Sequence, residues 1–179
     1  RDLHNRTHSF PTRRSSDLPQ EPAPTGDPVG DLVLSLLGAT DAELDDVVSD
    51  TLRLMGERCG AERTYITFFD CDAGTFDISH EWTRGVVPHR PDIQRVRIDR
   101  FPWSVAIAER QETLVVDDVE ALPDEAVAER ESFGAFGVRS IMQIPIVHGG
   151  VTVGVAGLNR FEPNGGWGPE TVELARRIG

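Results

Sequence analysis

Leu44, Val47, Val48, Thr51, Leu52, Met55 and Cys59 recur at helical spacing, and Thr40-Asp41-Ala42-Glu43 before them has the spacing of a capping box. The pattern predicts a helix from about Asp41 to Cys59 that Gly60 closes. The period then shortens. Arg63 to Phe69 is β-branched and aromatic, Asp72-Ala73-Gly74 reads as a turn, and Thr75 to Trp82 alternates strictly, which predicts a first hairpin. Phe101 to Arg110 reads as a short helix opened by Pro102, and Thr113 to Val116 as a short strand. Pro123 to about Phe136 reads as a helix whose Asp124 and Glu125 sit favourably against its dipole. Val138 to Val147 and Val151 to Leu158 are apolar on both faces and joined by His148-Gly149-Gly150, a second hairpin expected to be covered on both sides. Gly168-Pro169-Glu170 opens a last helix through Val172, Leu174, Ala175 and Ile178. This order predicts an α+β fold, a central antiparallel sheet flanked by helices.

The N-terminal end of the chain lacks this patterning. Arg1 to Leu18 has no apolar periodicity, and His8 to Leu18, HSFPTRRSSDL, resembles the translation of a sequencing-library adapter, so residues 1–18 are read as non-native. The other reading is a basic tail for nucleic acid or an acidic membrane. Residues 19–39 hold a Pro-rich linker, Pro19 to Pro28, and a short apolar piece too short to span a membrane. The pattern also stops inside the last helix, so the chain is read as a fragment of a longer protein. What remains of the 179 residues suits one domain. Net charge is -12, and the tail's four arginines outnumber its two aspartates, so the rest is more acidic still. Nucleic acid is not expected as a partner, because phosphate contacts need clustered cations. Every one of the 18 basic residues is arginine, which removes Walker-lysine and Schiff-base chemistry from this segment. Cys59 and Cys71 suggest no disulfide framework, and a reducing cytoplasm is expected.

The run Val138-Arg139-Ser140, Ile144-Pro145-Ile146, Gly149-Gly150 and a strand carrying Gly154 and Gly157 resembles the closing half of a GAF domain. Phe101-Pro102-Trp103, Val115-Val116-Asp117, Leu122-Pro123 with Glu129-Arg130, and Trp167-Gly168-Pro169-Glu170 extend the resemblance over residues 40–179. It is strongest to the modules found beside PAS, diguanylate cyclase, cyclic-di-GMP phosphodiesterase or histidine kinase domains in bacteria. The resemblance implies a GAF/PAS-like sheet enclosing a small-molecule pocket, and a sensory role controlling an output domain. Relatives pair through their first and last helices, which implies a homodimer here. Two alternatives stand beside it: a dimerisation or interaction module without ligand, and a redox enzyme of the free methionine sulfoxide reductase type. The latter needs cysteines around the pocket, and Val96 to Ile144 contains none. The same absence argues against a covalent bilin.

Strict alternation puts Phe76, Ile78, His80 and Trp82 on one face and Thr75, Asp77, Ser79 and Glu81 on the other. His80 and Trp82 are therefore candidate pocket residues, or else His80 is a core histidine bonded to a backbone carbonyl. A haem is not expected. Phe101 and Trp103 bracket a helix start, one for the core and one to close the pocket. Asp117, with Asp118, Glu120, Asp124 and Glu125, reads as a cation site or as a solvated loop. Arg139 beside Ser140 reads as an anion clamp or as a strand-edge ion pair. His89 and His148 lie in a loop and a turn without ligand spacing, and no structural metal is expected. Asn159-Arg160-Phe161-Glu162 resembles the asparagine, basic residue and phenylalanine motif of cyclic-nucleotide-binding GAF domains, lacks its lysine, and is read as the end of a strand.

Overall fold

A computed structural model describes residues 38–40, 42–85, 94–163 and 165–178. The basic tail, the linker and His89 lie outside the described residues. The elements, in order, are α1 (Leu44–Cys59), β1 (Arg63–Asp70), β2 (Thr75–Thr83), β3 (Val96–Arg97), α2 (Pro102–Glu109), β4 (Leu114–Val116), α3 (Val127–Ala135), β5 (Ser140–His148), β6 (Val151–Arg160) and α4 (Pro169–Ile178). The strands form one antiparallel sheet in the order β3-β2-β1-β6-β5-β4. The chain is α+β, as the patterning predicts.

Before α1, Glu43 accepts hydrogen bonds from the Thr40 backbone N–H (3.0 Å) and hydroxyl (2.7 Å), the reciprocal half of a capping box. At the other end Gly60 takes the left-handed conformation (φ 64°) that closes the helix. Gly149 and Gly150, at φ 59° and 82°, make the turn of the second hairpin. The segment after Pro123 departs from expectation: a turn of 3-10 helix over Asp124–Ala126 precedes α3. The two-residue β3 and the 3-10 turn Ile98–Arg100 carry too few residues to show a period.

Helices cover both faces of the sheet. Met55 and Cys59 of α1 and Ala175 of α4 pack with Met142, Ile144, Ala156 and Leu158 on one face. Phe101, Phe133, Leu114, Val116, Val138 and Ile141 form a second cluster on the other, under α2 and α3. Two-sided coverage explains why β6 is buried along nearly its whole length.

One irregularity decides which side chains reach which face. Ile66 pairs with His80 but Thr67 pairs with Ile78, so Ser79 is an extra residue in β2. This β-bulge inverts the alternation beyond it. Phe76 and Ile78 stay on the α2/α3 face, whereas His80 and Trp82 turn to the α1 face and Glu81 takes their place. Trp82 packs against Gly56 of α1, where an added Cβ would lie 2.1 Å from the indole ring. The strict alternation expected for Thr75 to Trp82 is thus corrected: the bulge splits it into two runs of opposite phase.

Candidate functional site

A cavity of about 340 Å³ lies between the sheet and the α2/α3 layer. On β1, Arg63, Tyr65, Thr67 and Phe69 alternate onto its floor, and β2 adds Phe76 and Ile78. Gln143 of β5 and Val155 and Asn159 of β6 complete the floor. Phe101, Ser104, Val105 and Ala108 form the roof, and Phe133, Phe136 and Val138 form an end wall. Such mixed lining, mostly apolar with a few placed polar groups, is typical of small-molecule sites, and the volume is at the lower end of their range of about 300–1,000 Å³.

The polar floor is buried. Arg63 is 5% exposed, and its Nε donates to the Glu81 carboxylate, whose side chain is 3% exposed. The Arg63 guanidinium lies 5.0 Å from the Tyr65 ring centre. Gln143 donates to the Tyr65 hydroxyl at 3.2 Å, and burial pushes the pKa of that hydroxyl up. The Tyr65 ring lies across Gly157, where an added Cβ would meet it at 2.1 Å. Three buried side-chain atoms on cavity-lining residues have no hydrogen-bond partner: Nη2 of Arg63, Oγ of Ser104 and Oδ1 of Asn159.

The roof is fixed by a carboxylate distant in sequence. Glu129 of α3 is fully buried, and its Oε1 accepts from the backbone N–H groups of Trp103 (2.7 Å) and Ser104 (3.0 Å). Phe101, at the N-cap of α2, offers no side-chain cap, so Glu129 fills that role and places negative charge at the helix's positive end.

Of the residues singled out in the sequence, Phe101 lines the cavity. Trp103 is half-buried and packs on the cluster beneath α2 without lining it. His80 and Trp82 are not in the lining because of the Ser79 bulge. His80 lies 3.1 Å from the Ser79 hydroxyl through Nδ1 and 3.3 Å from Asp45 of α1 through Nε2. Asp117 accepts from the Trp167 backbone N–H at 2.7 Å, and its own carbonyl accepts from the Ser140 hydroxyl at 2.7 Å. Asp117 therefore ties the loop before α4 to the end of β4, Ser140 ties β5 to that same strand end, and neither lines the cavity. Arg139 forms an exposed ion pair with Glu120, the strand-edge alternative. Among the described residues, no group of three or more His, Cys, Asp and Glu side chains is placed to hold a metal.

Asn159 and Arg160 end β6, as the sequence reading has it, and Asn159 is also a buried floor residue. Arg160, next along β6, points to the opposite face. It donates to the carbonyls of Gly60 (3.0 Å), Gly166 (2.6 Å) and Cys59 (2.8 Å), and its guanidinium lies 3.9 Å over the Trp167 ring. It joins the end of α1 to the segment that enters α4. Cys59 is buried there, and burial pushes its thiol from an ordinary 9.0 to about 11. Cys71 is exposed at the β1–β2 turn. The period-two series Arg63, Tyr65, Thr67, Phe69 was available in the sequence as a sign of a polar end on a buried face. Asn159 carried a similar sign, a polar residue closing a run without a solvent-facing phase.

A sequence profile for the GAF domain matches residues 43–179, and the chain belongs to that family. Solved structures share the fold. The biliverdin-bound far-red absorbing dark state of JSC1_58120g3 superposes with a TM-score of 0.69 at 17% identity, covering 84% of this chain and 92% of that one. A GAF domain/HD domain protein from Geobacter sulfurreducens gives 0.59 at 18% identity, covering 80% and 90%. A domain of a two-component sensor histidine kinase protein from Sinorhizobium meliloti 1021 gives 0.56 at 20% identity, covering 78% and 87%. Comparison with curated protein sequences returns no match. No helix among the described residues is long and apolar enough to cross a membrane.

Proposed function

We propose that this GAF domain is a non-catalytic sensor that binds a small molecule in the cavity and controls a signalling output domain. The observation that carries the reading is the cavity itself: an aromatic roof and wall over a floor holding buried polar atoms without protein partners. Native folds satisfy such atoms, and a bound molecule does so here. Transmission runs along β6, where Asn159 faces the cavity and Arg160 grips the end of α1 and the segment that enters α4. A ligand that favours one arrangement of the floor biases that grip. We further propose that α1 and α4, which pack together, carry the signal across a cytoplasmic homodimer into a diguanylate cyclase, phosphodiesterase or histidine kinase. The GAF/HD and histidine kinase relatives support that class of output.

A thiol redox enzyme is less favoured, because neither sulfur lines the cavity and the Cys59 thiol is a poor nucleophile at neutral pH. A covalent tetrapyrrole fits poorly for the first of these reasons and for the cavity's size.

The test is a thermal-shift screen of small metabolites on wild-type protein and on Val105→Trp, which fills the cavity from the roof. Stabilisation of the wild type alone, with unchanged far-ultraviolet circular dichroism in the variant, supports the reading. A folded wild type that no compound stabilises, or stabilisation unaffected by Val105→Trp, overturns it.

A further inference from the structure

We propose that the cavity takes a neutral, planar bicyclic or tricyclic heterocycle whose lactam edge, a carbonyl beside an N–H, meets Arg63 and Asn159; this rests on reading the cavity as a ligand pocket. Arg63 and Asn159 are Cα partners across β1 and β6, so both side chains leave the same face of the sheet as direct neighbours. They are 5% and 3% exposed. Each brings one unmet group to the floor, Nη2 of Arg63 as a donor and Oδ1 of Asn159 as an acceptor. The complement of an adjacent donor and acceptor is an adjacent acceptor and donor. A lactam supplies both from one rigid group: its carbonyl accepts from Nη2 and its N–H donates to Oδ1.

Charge selects a neutral ligand. Arg63 is already balanced by Glu81, and that ion pair is buried. A carboxylate ligand would leave an unbalanced negative charge on a desolvated floor. Among the described lining residues the other arginine, Arg100, is exposed and so is poorly placed to compensate. Shape selects a planar one. Phe76 and Phe101 meet edge-on with ring centres 5.7 Å apart, and Phe101 and Phe133 lie 5.5 Å apart at 33°, a set of ring faces suited to stacking on a flat body. The Ser104 hydroxyl, also unpartnered, is left for a substituent on the far side.

The test compares four probes by isothermal calorimetry on the wild-type protein: 2-quinolone, its N-methyl derivative, coumarin as the lactone counterpart, and quinoline-2-carboxylate. The expected result is that 2-quinolone binds at least about tenfold more tightly than coumarin or the N-methyl compound, the factor that one unmet buried hydrogen bond implies. Asn159→Leu is expected to bring 2-quinolone down to the level of coumarin while leaving coumarin within about twofold. Should that variant fail to fold, the wild-type comparison of lactam with lactone decides alone. Coumarin equal to 2-quinolone overturns the proposal. Tighter binding of the carboxylate also overturns it and points to a turned-over Asn159 amide presenting Nδ2. In both cases, binding that Val105→Trp abolishes leaves the sensor reading standing. No binding by any of the four overturns the lactam assignment, and the metabolite screen then decides the sensor reading separately.

Discussion

Replacing Gly56 by alanine tests the bulge that sorts β2 between the two faces of the sheet. In an exposed helix interior Gly→Ala stabilises by about 1 kcal/mol, because alanine restricts the unfolded chain and favours the helix. Gly56 is buried, and its missing Cβ is what admits Trp82. An added Cβ would lie 2.1 Å from Cζ3, 2.6 Å from Cε3 and 3.0 Å from Cη2 of the indole, whereas carbon atoms rest about 3.5–4.0 Å apart. The ring must retreat by more than an ångström, and overpacking of this kind costs about 1–3 kcal/mol. The propensity gain is smaller than most of that range, so Gly56→Ala is expected to destabilise by up to about 2 kcal/mol net. In a Trp82→Leu background the obstruction is gone, and the same substitution is expected to be neutral or stabilising. Urea unfolding of the four proteins in this cycle, followed by far-ultraviolet circular dichroism, gives the coupling between the two sites. A coupling near zero, with Gly56→Ala stabilising in both backgrounds, would refute the placement of Trp82 and restore strict alternation along β2.

Three further outcomes follow from buried polar groups. Glu129→Ala removes the acceptor for two backbone N–H groups and is expected to cost about 2–4 kcal/mol in urea unfolding, with Glu129→Gln costing less because an amide oxygen can still accept; equal losses would show that charge rather than the acceptor matters. Arg160→Lys replaces a planar fork that reaches three carbonyls by a single ammonium, and is expected to cost about 2–4 kcal/mol and to speed hydrogen exchange at the end of α1 and the start of α4. Unchanged exchange there would remove Arg160 as the link. The Cys59 thiol, raised from 9.0 to about 11 by burial, stays protonated in the folded state while the unfolded chain ionises, so stability present below about pH 9 falls as pH rises towards 11, by up to about 3 kcal/mol. Cys59→Ala is expected to flatten that alkaline slope in pH-dependent denaturation, and a slope unchanged by the substitution would assign it to other groups such as Tyr65.

The order of elements was legible because most of them are long enough to show a period. The α1 stripe, both hairpins and the Pro-opened α2 and α4 appear where apolar spacing and turn residues put them. The site was legible only in part. Phe101 could be placed from its position at a helix start, but His80 and Trp82 were assigned to the wrong face, because a bulge leaves the alternation of residue types intact while reversing its phase. Ser79 gives no local sign of this, since its hydroxyl simply donates to the Ile66 carbonyl at 3.3 Å as any strand serine could. Glu129 was hidden for a different reason: its partners lie on another helix, and no spacing within α3 marks it as a cap. Asn159 was passed over because a polar residue at the end of an apolar run ordinarily meets water, and only the α2/α3 layer above it makes it a floor residue.

The Ser79 bulge also explains why the floor is polar. With strict alternation β2 would send Trp82 and His80 to the cavity and Glu81 to the α1 face. Arg63 would then be a buried cation without a carboxylate, which a fold does not tolerate. The inserted residue exchanges them. Trp82 fills the notch at Gly56 and strengthens the α1 packing, while Glu81 neutralises Arg63 and occupies its Nε. That leaves Nη2 buried without a protein partner, on the residue paired with Asn159 across the sheet. A single extra residue in one strand thus contributes both to the chemistry of the cavity and to the rigidity of the helix layer that would read it. A Ser79 deletion removes the extra residue while leaving Ile78 opposite Thr67 and His80 opposite Ile66, so Glu81 and Trp82 keep their faces, and the variant is expected to retain both the Arg63–Glu81 pair and the α1 packing, with a urea midpoint close to that of the wild type. A folded deletion variant that has lost the Gly56–Trp82 coupling would show that β2 changed phase and refute this account of the bulge.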